Sequence, residues 1–307
     1  MKNIKGSIIL LIAAFIWGTA FVAQTSASDN VGAFTFTALR SVIGAGFLGI
    51  FLLIKKVVTK KNNVKEDKKQ RNRSLLGGAL CGIVLFFATN LQQLGITIYP
   101  EGVASSGRAG FITATYVVMV AISGIFFHKK LHPIIWIAVA GCVAGMYMLC
   151  LSGGFEGIYS GDILVFLCAI CFTAHILVID RFSDIDSILL CCLQFVVVGV
   201  ISTVLMFIFE KPDFAGIMAA WLPILFTGVM SSGVAYTLQM AGQKNAEPAV
   251  ASIVMSLESV FSVLAGWVVL GETLLTRELI GCILVFAAVI IAQLPEFLKP
   301  KKVSENN

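Results

Sequence analysis

The sequence predicts an all-α integral membrane protein, with ten transmembrane helices arranged as two inverted five-helix repeats. Three observations predict it. Hydrophobic residues make up 58% of the 307 and charged residues 13%, with a mean hydropathy of +0.94. That leaves too little polar surface to cover a water-soluble globule, so the bilayer is the solvent. The apolar residues fall into ten long stretches. The chain also repeats itself: Leu91, Gln92, Gly95, Val103, Ala104 and Ser105 recur as Leu238, Gln239, Gly242, Val250, Ala251 and Ser252, a constant offset of 147. A second pattern, Gly6 to Phe21 against Gly161 to Ile176, repeats at offset 155.

The stretches run approximately over 7–27, 33–54, 74–98, 103–127, 133–151, 161–180, 187–209, 217–241, 248–270 and 278–294. Each is close to the ~20 residues a helix needs to cross ~30 Å of hydrocarbon. Helices follow because lipid offers backbone N–H and C=O groups no partner, and the stretches are too long and evenly apolar for barrel strands. The first, preceded by Lys2 and Lys5 and closed by Ser26, Ala27 and Ser28, imitates a secretory leader. It is long enough to span, and its counterpart in the second half is internal, so it is read as a span. The loop from Lys55 to Arg73 reads as a solvated cytoplasmic anchor with some attraction to anionic lipid, where the second copy has only the short acidic Glu210 to Asp213. His128 and His132 flank the turn Lys129-Lys130 and read as interfacial. Gly44, Gly46 and Gly49, Gly77, Gly78 and Gly82, Gly107 with Gly110, and Gly141 with Gly145 suit close helix approach or bending.

Five stretches per copy give repeats over 6–152 and 158–294, followed by a cytoplasmic tail, 295–307. The basic residues set the orientation. With the N-terminus in the cytoplasm, the inner face collects Lys2, Lys5, nine residues of the 55–73 loop, Lys129, Lys130, Arg181, Lys244, Lys299, Lys301 and Lys302. The outer face keeps Lys211 and Arg277. Both termini are therefore expected in the cytoplasm, and the net charge of +5 is a topological signal with no call for nucleic acid. An odd number of helices per repeat inverts the second copy relative to the first. Inverted pairs exchange conformations and open a central site to either side in turn.

Several motifs then resemble the EamA-type family of the drug/metabolite transporter superfamily, over Gly6 to about Leu294. Trp17-Gly18-Thr19-Ala20-Phe21-Val22 is similar to the family's opening helix, and Phe36-Thr37-Ala38-Leu39-Arg40 to the start of its second. Gly110-Phe111-Ile112-Thr113 with Tyr116-Val117-Val118 resembles the fourth helix; Ser256-Leu257-Glu258-Ser259-Val260-Phe261 with Gly271-Glu272 resembles the ninth and its exit. Where the family carries proline after the glutamate of the ninth helix and often in the fourth, this chain has Ser259 and Ala121; Lys129 or Lys130 stands in place of a first-copy glutamate. The resemblance implies a carrier for small metabolites, commonly an exporter of amino acids or related compounds, in the cell membrane. No GxxxxGK[ST] phosphate loop is present, so the chain is expected to need neither nucleotide nor other cofactor.

Charges inside hydrocarbon are costly and each needs an account. Glu258 lies ten residues into its stretch, roughly 15 Å deep at 1.5 Å per residue. It must face a partner, face a water-filled cavity, or carry a proton; the functional reading makes it a contact for a substrate amine or the coupling proton site. Arg40 and Arg108 lie roughly 8 to 11 Å from the outer face. Each either snorkels or ties helix ends together, or points into an outer vestibule and attracts a carboxylate. Arginine over Glu258 suits a zwitterion, hence an amino-acid-like substrate. Trp17, Tyr116, Tyr236, Gln92 and Gln239 are the principal aromatic and amide candidates for the same path, the two glutamines because they occupy matching repeat positions, with Gln24 and Asn90 as further amides in apolar runs; packing and interhelical hydrogen bonding are the alternative for each. Asp162 and Asp180, at stretch ends, read as interfacial.

Cys168, Cys171 and His175 share one helical face, but these offsets alone make no closed metal site. The other cysteines are scattered as small hydrophobes. Two further classes remain open. A membrane-embedded enzyme needs a convergent nucleophile, acid–base set or metal site, and neither a serine-histidine-acid arrangement nor an HExxH helix is present. A channel, sensor or scaffold needs no central binding site.

Overall fold

The computed structural model describes residues 2–58, 68–100, 105–126, 131–150, 158–270 and 276–297. The core of the basic loop, Val103-Ala104, Lys129-Lys130, the Gly271-Glu272 exit and the tail from 298 lie outside them. The described residues are helical, and eight helices are long and apolar enough to cross a membrane. The fifth and tenth stretches are shorter apolar helices, Pro133–Met148 and Leu279–Ala292 by the same measure.

The first half comprises α1 (Lys2–Ser28), α2 (Ala33–Val58), α3 (Lys68–Thr97), α4 (Ser105–Ala114), α5 (Tyr116–Phe126) and α6 (Pro133–Cys150). The second comprises α7 (Ser160–Arg181), α8 (Ser187–Phe209), α9 (Phe214–Ala219), α10 (Trp221–Phe226), a π-helical segment (Thr227–Ala235), α11 (Tyr236–Gln243), α12 (Pro248–Met255), α13 (Glu258–Leu270) and α14 (Thr276–Phe297). Large apolar side chains stand outward, Phe207 70% and Val268 73% exposed, as a lipid-facing surface requires.

Three stretches expected as unbroken helices are interrupted. Between α4 and α5, the Thr115 hydroxyl donates to the Ile112 carbonyl at 2.6 Å, an alternative to regular helix bonding. Between α12 and α13, Ser256 does the same to Ile253 at 2.7 Å, and the backbone closes through shorter turns, Leu257 N to Val254 O and Ser259 N to Ser256 O. The eighth stretch widens into the π segment. Such departures are tolerated at membrane depth where the backbone is buried in protein or lines a cavity, and π turns cluster at functional sites.

The ends are tied by side chains. The Glu210 carboxylate, after α8, accepts from Phe34 N and Thr35 N at 2.8 Å each and from the Thr35 hydroxyl at 2.6 Å, capping α2 from across the molecule. Asp186 caps α8 through Ile188 N and Leu189 N. Pro248 opens α12, where its missing N–H leaves nothing unsatisfied.

Helices pack in a patterned set: α2 on α8, α6 on α14, α3 on α7 and α8, α1 on α13 and α11, and the π segment on α1 and α2. Three crossings are glycine on glycine. A Cβ on Gly6 would lie 2.8 Å from the Gly242 carbonyl oxygen, one on Gly161 would lie 2.8 Å from that of Gly95, and one on Gly145 of α6 would lie 2.8 Å from that of Gly281 of α14. Another close approach, Gly44 of α2 against Ser232 and Gly228, presses α2 onto the π segment.

Candidate functional site

The interruptions meet in the middle of the molecule. The close approach of Gly18 to α13, where a Cβ would sit 2.8 Å from the Glu258 carbonyl oxygen, lets α1 lie directly over the break between α12 and α13. The preceding residue, Trp17, then faces a small chamber of about 40 Å³, room for a few water molecules. Seven of the eight residues expected from sequence line it: Trp17, Arg40, Gln92, Tyr116, Tyr236, Gln239 and Glu258.

Glu258 opens α13, so its carboxylate sits at a helix N-terminus, where the helix dipole favours negative charge. It is 6% exposed and accepts a hydrogen bond from the Tyr116 hydroxyl at 3.1 Å. Arg40, 3% exposed, reaches the Gln24 side-chain oxygen at 3.5 Å and lies 5.6 Å from the centre of the Phe36 ring. Among the described residues neither charge has an opposite charge within 4.0 Å. Tyr236 is held edge-on against Trp17 at 4.9 Å and Phe195 at 5.2 Å. The Gln92 amide donates to the Thr113 hydroxyl at 3.1 Å. The indole N–H of Trp17, Nε of Arg40 and the side-chain oxygen of Gln239 are buried with no partner among the described residues. Unmade hydrogen bonds cost ~1 to 3 kcal/mol each, so two donors and an acceptor aimed into one chamber call for a polar occupant.

Arg108 stands elsewhere. Its Nε and Nη2 donate to the two Asp162 oxygens at 2.7 and 2.6 Å, so it ties helix ends together, the other role open to it, and does not line the chamber. Asp162, expected at the interface, is instead 8% exposed inside this pair. Sequence reasoning left Phe21, Thr113, Phe172, Ser231 and Met255 out of the site. Thr113 ends a family-like motif and carried a usable signal; Ser231 is placed by the π segment, which no local pattern announced. Asn90, another intramembrane amide, is used structurally, donating to Ser202 Oγ at 3.1 Å. Of the proposed metal-like face, His175 is paired with the Gln194 amide oxygen at 2.9 Å.

An all-helical bundle that surrounds a buried, charged chamber with interrupted membrane-crossing helices has the form of a multi-pass membrane transporter. A model of the EamA-like transporter family matches twice, over residues 4–151 and 159–293. The chain belongs to the EamA-like transporter family. It is 27% identical over 296 residues to an uncharacterized transporter of Archaeoglobus fulgidus, covering 96% of this chain and 87% of that one. It is 22% identical to the uncharacterized transporter YoaV of Bacillus subtilis, covering 94% and 96%. It is 23% identical to the uncharacterized inner membrane transporter YedA of Escherichia coli, covering 94% and 90%. A solved crystal structure shares the fold with a TM-score of 0.75 at 18% identity, covering 95% of this chain and 99% of that chain.

Proposed function

We propose that this transporter moves small zwitterionic metabolites, amino acids or close relatives, out of the cell by alternating access. One observation carries the reading: Arg40 and Glu258, buried and unpaired with each other, line a single chamber. A substrate carboxylate takes the guanidinium and the free indole N–H; a substrate amine takes Glu258 and the Gln239 oxygen. Tyr236 and Trp17 supply apolar wall, and Gln92 and Tyr116 polar wall. Glu258 is the proton-coupling group, exchanging its proton for the substrate amine.

The motion rests on ten spans in two inverted repeats, 6–152 and 158–294, with both termini and the 295–307 tail in the cytoplasm of a cell-membrane protein. The double family match supports the duplication, as do the main helix pairings, α2 on α8, α6 on α14 and α3 on α7 with α1 on α11, which map onto themselves or each other when the two sets of five spans are exchanged. The glycine crossings support it residue by residue. Gly6 and Gly161 are related by the 155 offset, Gly95 and Gly242 by the 147 offset, and each meets the other relation's partner across the repeats. The distribution of Lys and Arg supports the orientation.

The test is counterflow in proteoliposomes: purified protein, loaded with unlabelled amino acid, should accumulate the labelled one transiently. Absence of counterflow with every amino acid, amine and carboxylate tried would leave the scaffold or sensor reading in its place. Labelled product without vectorial movement would favour the enzyme.

A further inference from the structure

Apart from the chamber, one buried, fully engaged ion pair stands among the described residues, and its surroundings differ at the two ends of the same helices. The Gly95–Gly161 crossing brings the last turn of α3 and the first turn of α7 together. The next residue, Asp162, receives both Arg108 donors and the hydroxyl of Tyr99, one turn beyond Gly95, at 2.8 Å, while its own oxygen accepts from Tyr159 N at 2.9 Å. The Arg108 guanidinium lies 4.7 Å from the centre of the Tyr159 ring, covering the pair. At the repeat-related crossing, Gly6 on Gly242, the equivalents of Asp162, Tyr99 and Arg108 are Ser7, Ala246 and Met255. The scaffold is duplicated and the ion pair is not.

The α4–α5 span and α7 therefore converge where Arg108 meets Asp162. At their other end a cavity of about 650 Å³ separates them, walled by Val120 and Ser123 of α5 and Val178 of α7, with Phe182 just beyond α7 and Ala249 of α12. Gly110, two residues after Arg108 on α4, is buried, yet a Cβ there would meet nothing within 4 Å. Open space lies beside it, on the same helix as the pair's arginine.

We propose that Arg108 and Asp162, supported by Tyr99 and Tyr159, are a one-sided latch. They hold the path to the chamber shut at the end where α4 and α7 begin, and so bias the protein toward the conformation open at the opposite end. Opening the latched end requires this buried pair to separate, whereas the symmetric positions Ser7, Ala246 and Met255 carry no charge and the pairs at that end, Arg73–Asp184 and Lys55–Asp186, are exposed to solvent. In the proposed orientation the latched end is the outer one; this clause rests on the transport reading above, and the latch itself does not.

The test uses a cysteine-free background with Gly110→Cys, labelled by a membrane-impermeant maleimide in right-side-out and in inverted vesicles. Asp162→Asn should raise labelling of Gly110→Cys about tenfold from one side, Tyr99→Phe about threefold, and the exchanged pair Arg108→Asp with Asp162→Arg should return it toward the starting rate. If Asp162→Asn fails to give a monodisperse protein, Tyr99→Phe, which removes one hydroxyl, carries the measurement. Unchanged labelling in these variants, from both sides, overturns the latch. A second reporter, Ser123→Cys in the large cavity, separates the two ideas. Labelling there that falls as Gly110→Cys rises supports latch and alternating access together. Labelling that stays constant supports the latch and removes alternating access. A rise seen from the cytoplasmic side supports the latch and reverses the orientation.

Discussion

Arg40 brings a charge and Glu258 a carboxyl group into the buried chamber, and neither is paired with the other within 4.0 Å. Holding such groups buried and apart costs several kcal/mol, a cost the proposed substrate would offset. Arg40→Ala should lower uptake of carboxylate substrates in proteoliposomes ~10- to 100-fold, the worth of a charge-assisted hydrogen bond of ~1.5 to 3 kcal/mol, and leave protein yield unchanged. Equal uptake by the variant would remove Arg40 from the substrate path. Glu258→Gln keeps the shape and the Tyr116 hydrogen bond but has no proton to exchange. It should flatten the dependence of transport on pH, and a variant with the parental pH profile would exclude Glu258 as the coupling group. Trp17→Phe removes the orphan N–H together with part of the ring's bulk, keeps an aromatic wall, and should raise KM with little change in the maximal rate.

Among the elements, α2 depends on a cap supplied from the far end of α8. Glu210 satisfies two backbone donors and the Thr35 hydroxyl, in the space a side chain at Gly32 would take. Glu210→Ala should cost ~1 to 3 kcal/mol, read as a lowered melting temperature in detergent, and Gly32→Leu should reproduce it by displacing the carboxylate. Gly242→Val places a Cβ 2.6 Å from Leu10 Cγ and 3.1 Å from the Gly6 carbonyl oxygen, against backbone that has nowhere to go. Overpacking of ~1 to 3 kcal/mol is expected, and an unshifted melting temperature would contradict the close crossing. The existence of these helices was legible in the sequence because lipid forces every long apolar stretch to satisfy its own backbone. Their interruptions were not. Thr115 and Ser256 sit in regular-looking apolar runs, and whether such a hydroxyl bends a helix depends on what packs against it.

For the molecule as a whole, polar ties gather at the two ends. At the end carrying the basic loop, Arg73 donates to both Asp184 oxygens at 2.8 and 2.7 Å, Lys55 pairs with Asp186 at 3.0 Å, and Lys244 donates to the Ile185 carbonyl. The Arg73 hydrogen bond holds the Asp184 carboxyl below its ordinary value. A carboxylate stabilised in this way contributes above its unfolded value and loses the contribution as pH falls through the lowered folded one. The pair is largely exposed, so its effect is small and screened by salt. Arg73→Gln should leave thermal stability at neutral pH and physiological salt almost unchanged. A large loss would mean that this end is held together far more tightly than its solvent exposure allows.

From the sequence alone came the class of solvent, the number of apolar stretches, the duplication, and most of the chamber's residues. Those follow from local rules: apolar run length answers to bilayer thickness, and an intramembrane charge or amide is too costly to keep without a use. Tertiary structure decided the rest. Arg40 and Arg108 lie at similar depth with the same chemistry, and only the neighbour each one meets separates a chamber wall from an ion pair. Asp162 reads as interfacial until the Gly95–Gly161 crossing carries Tyr99 and Arg108 onto it. Depth along a helix is set by counting residues; the direction a side chain faces, and what waits there, is set by how the helices cross.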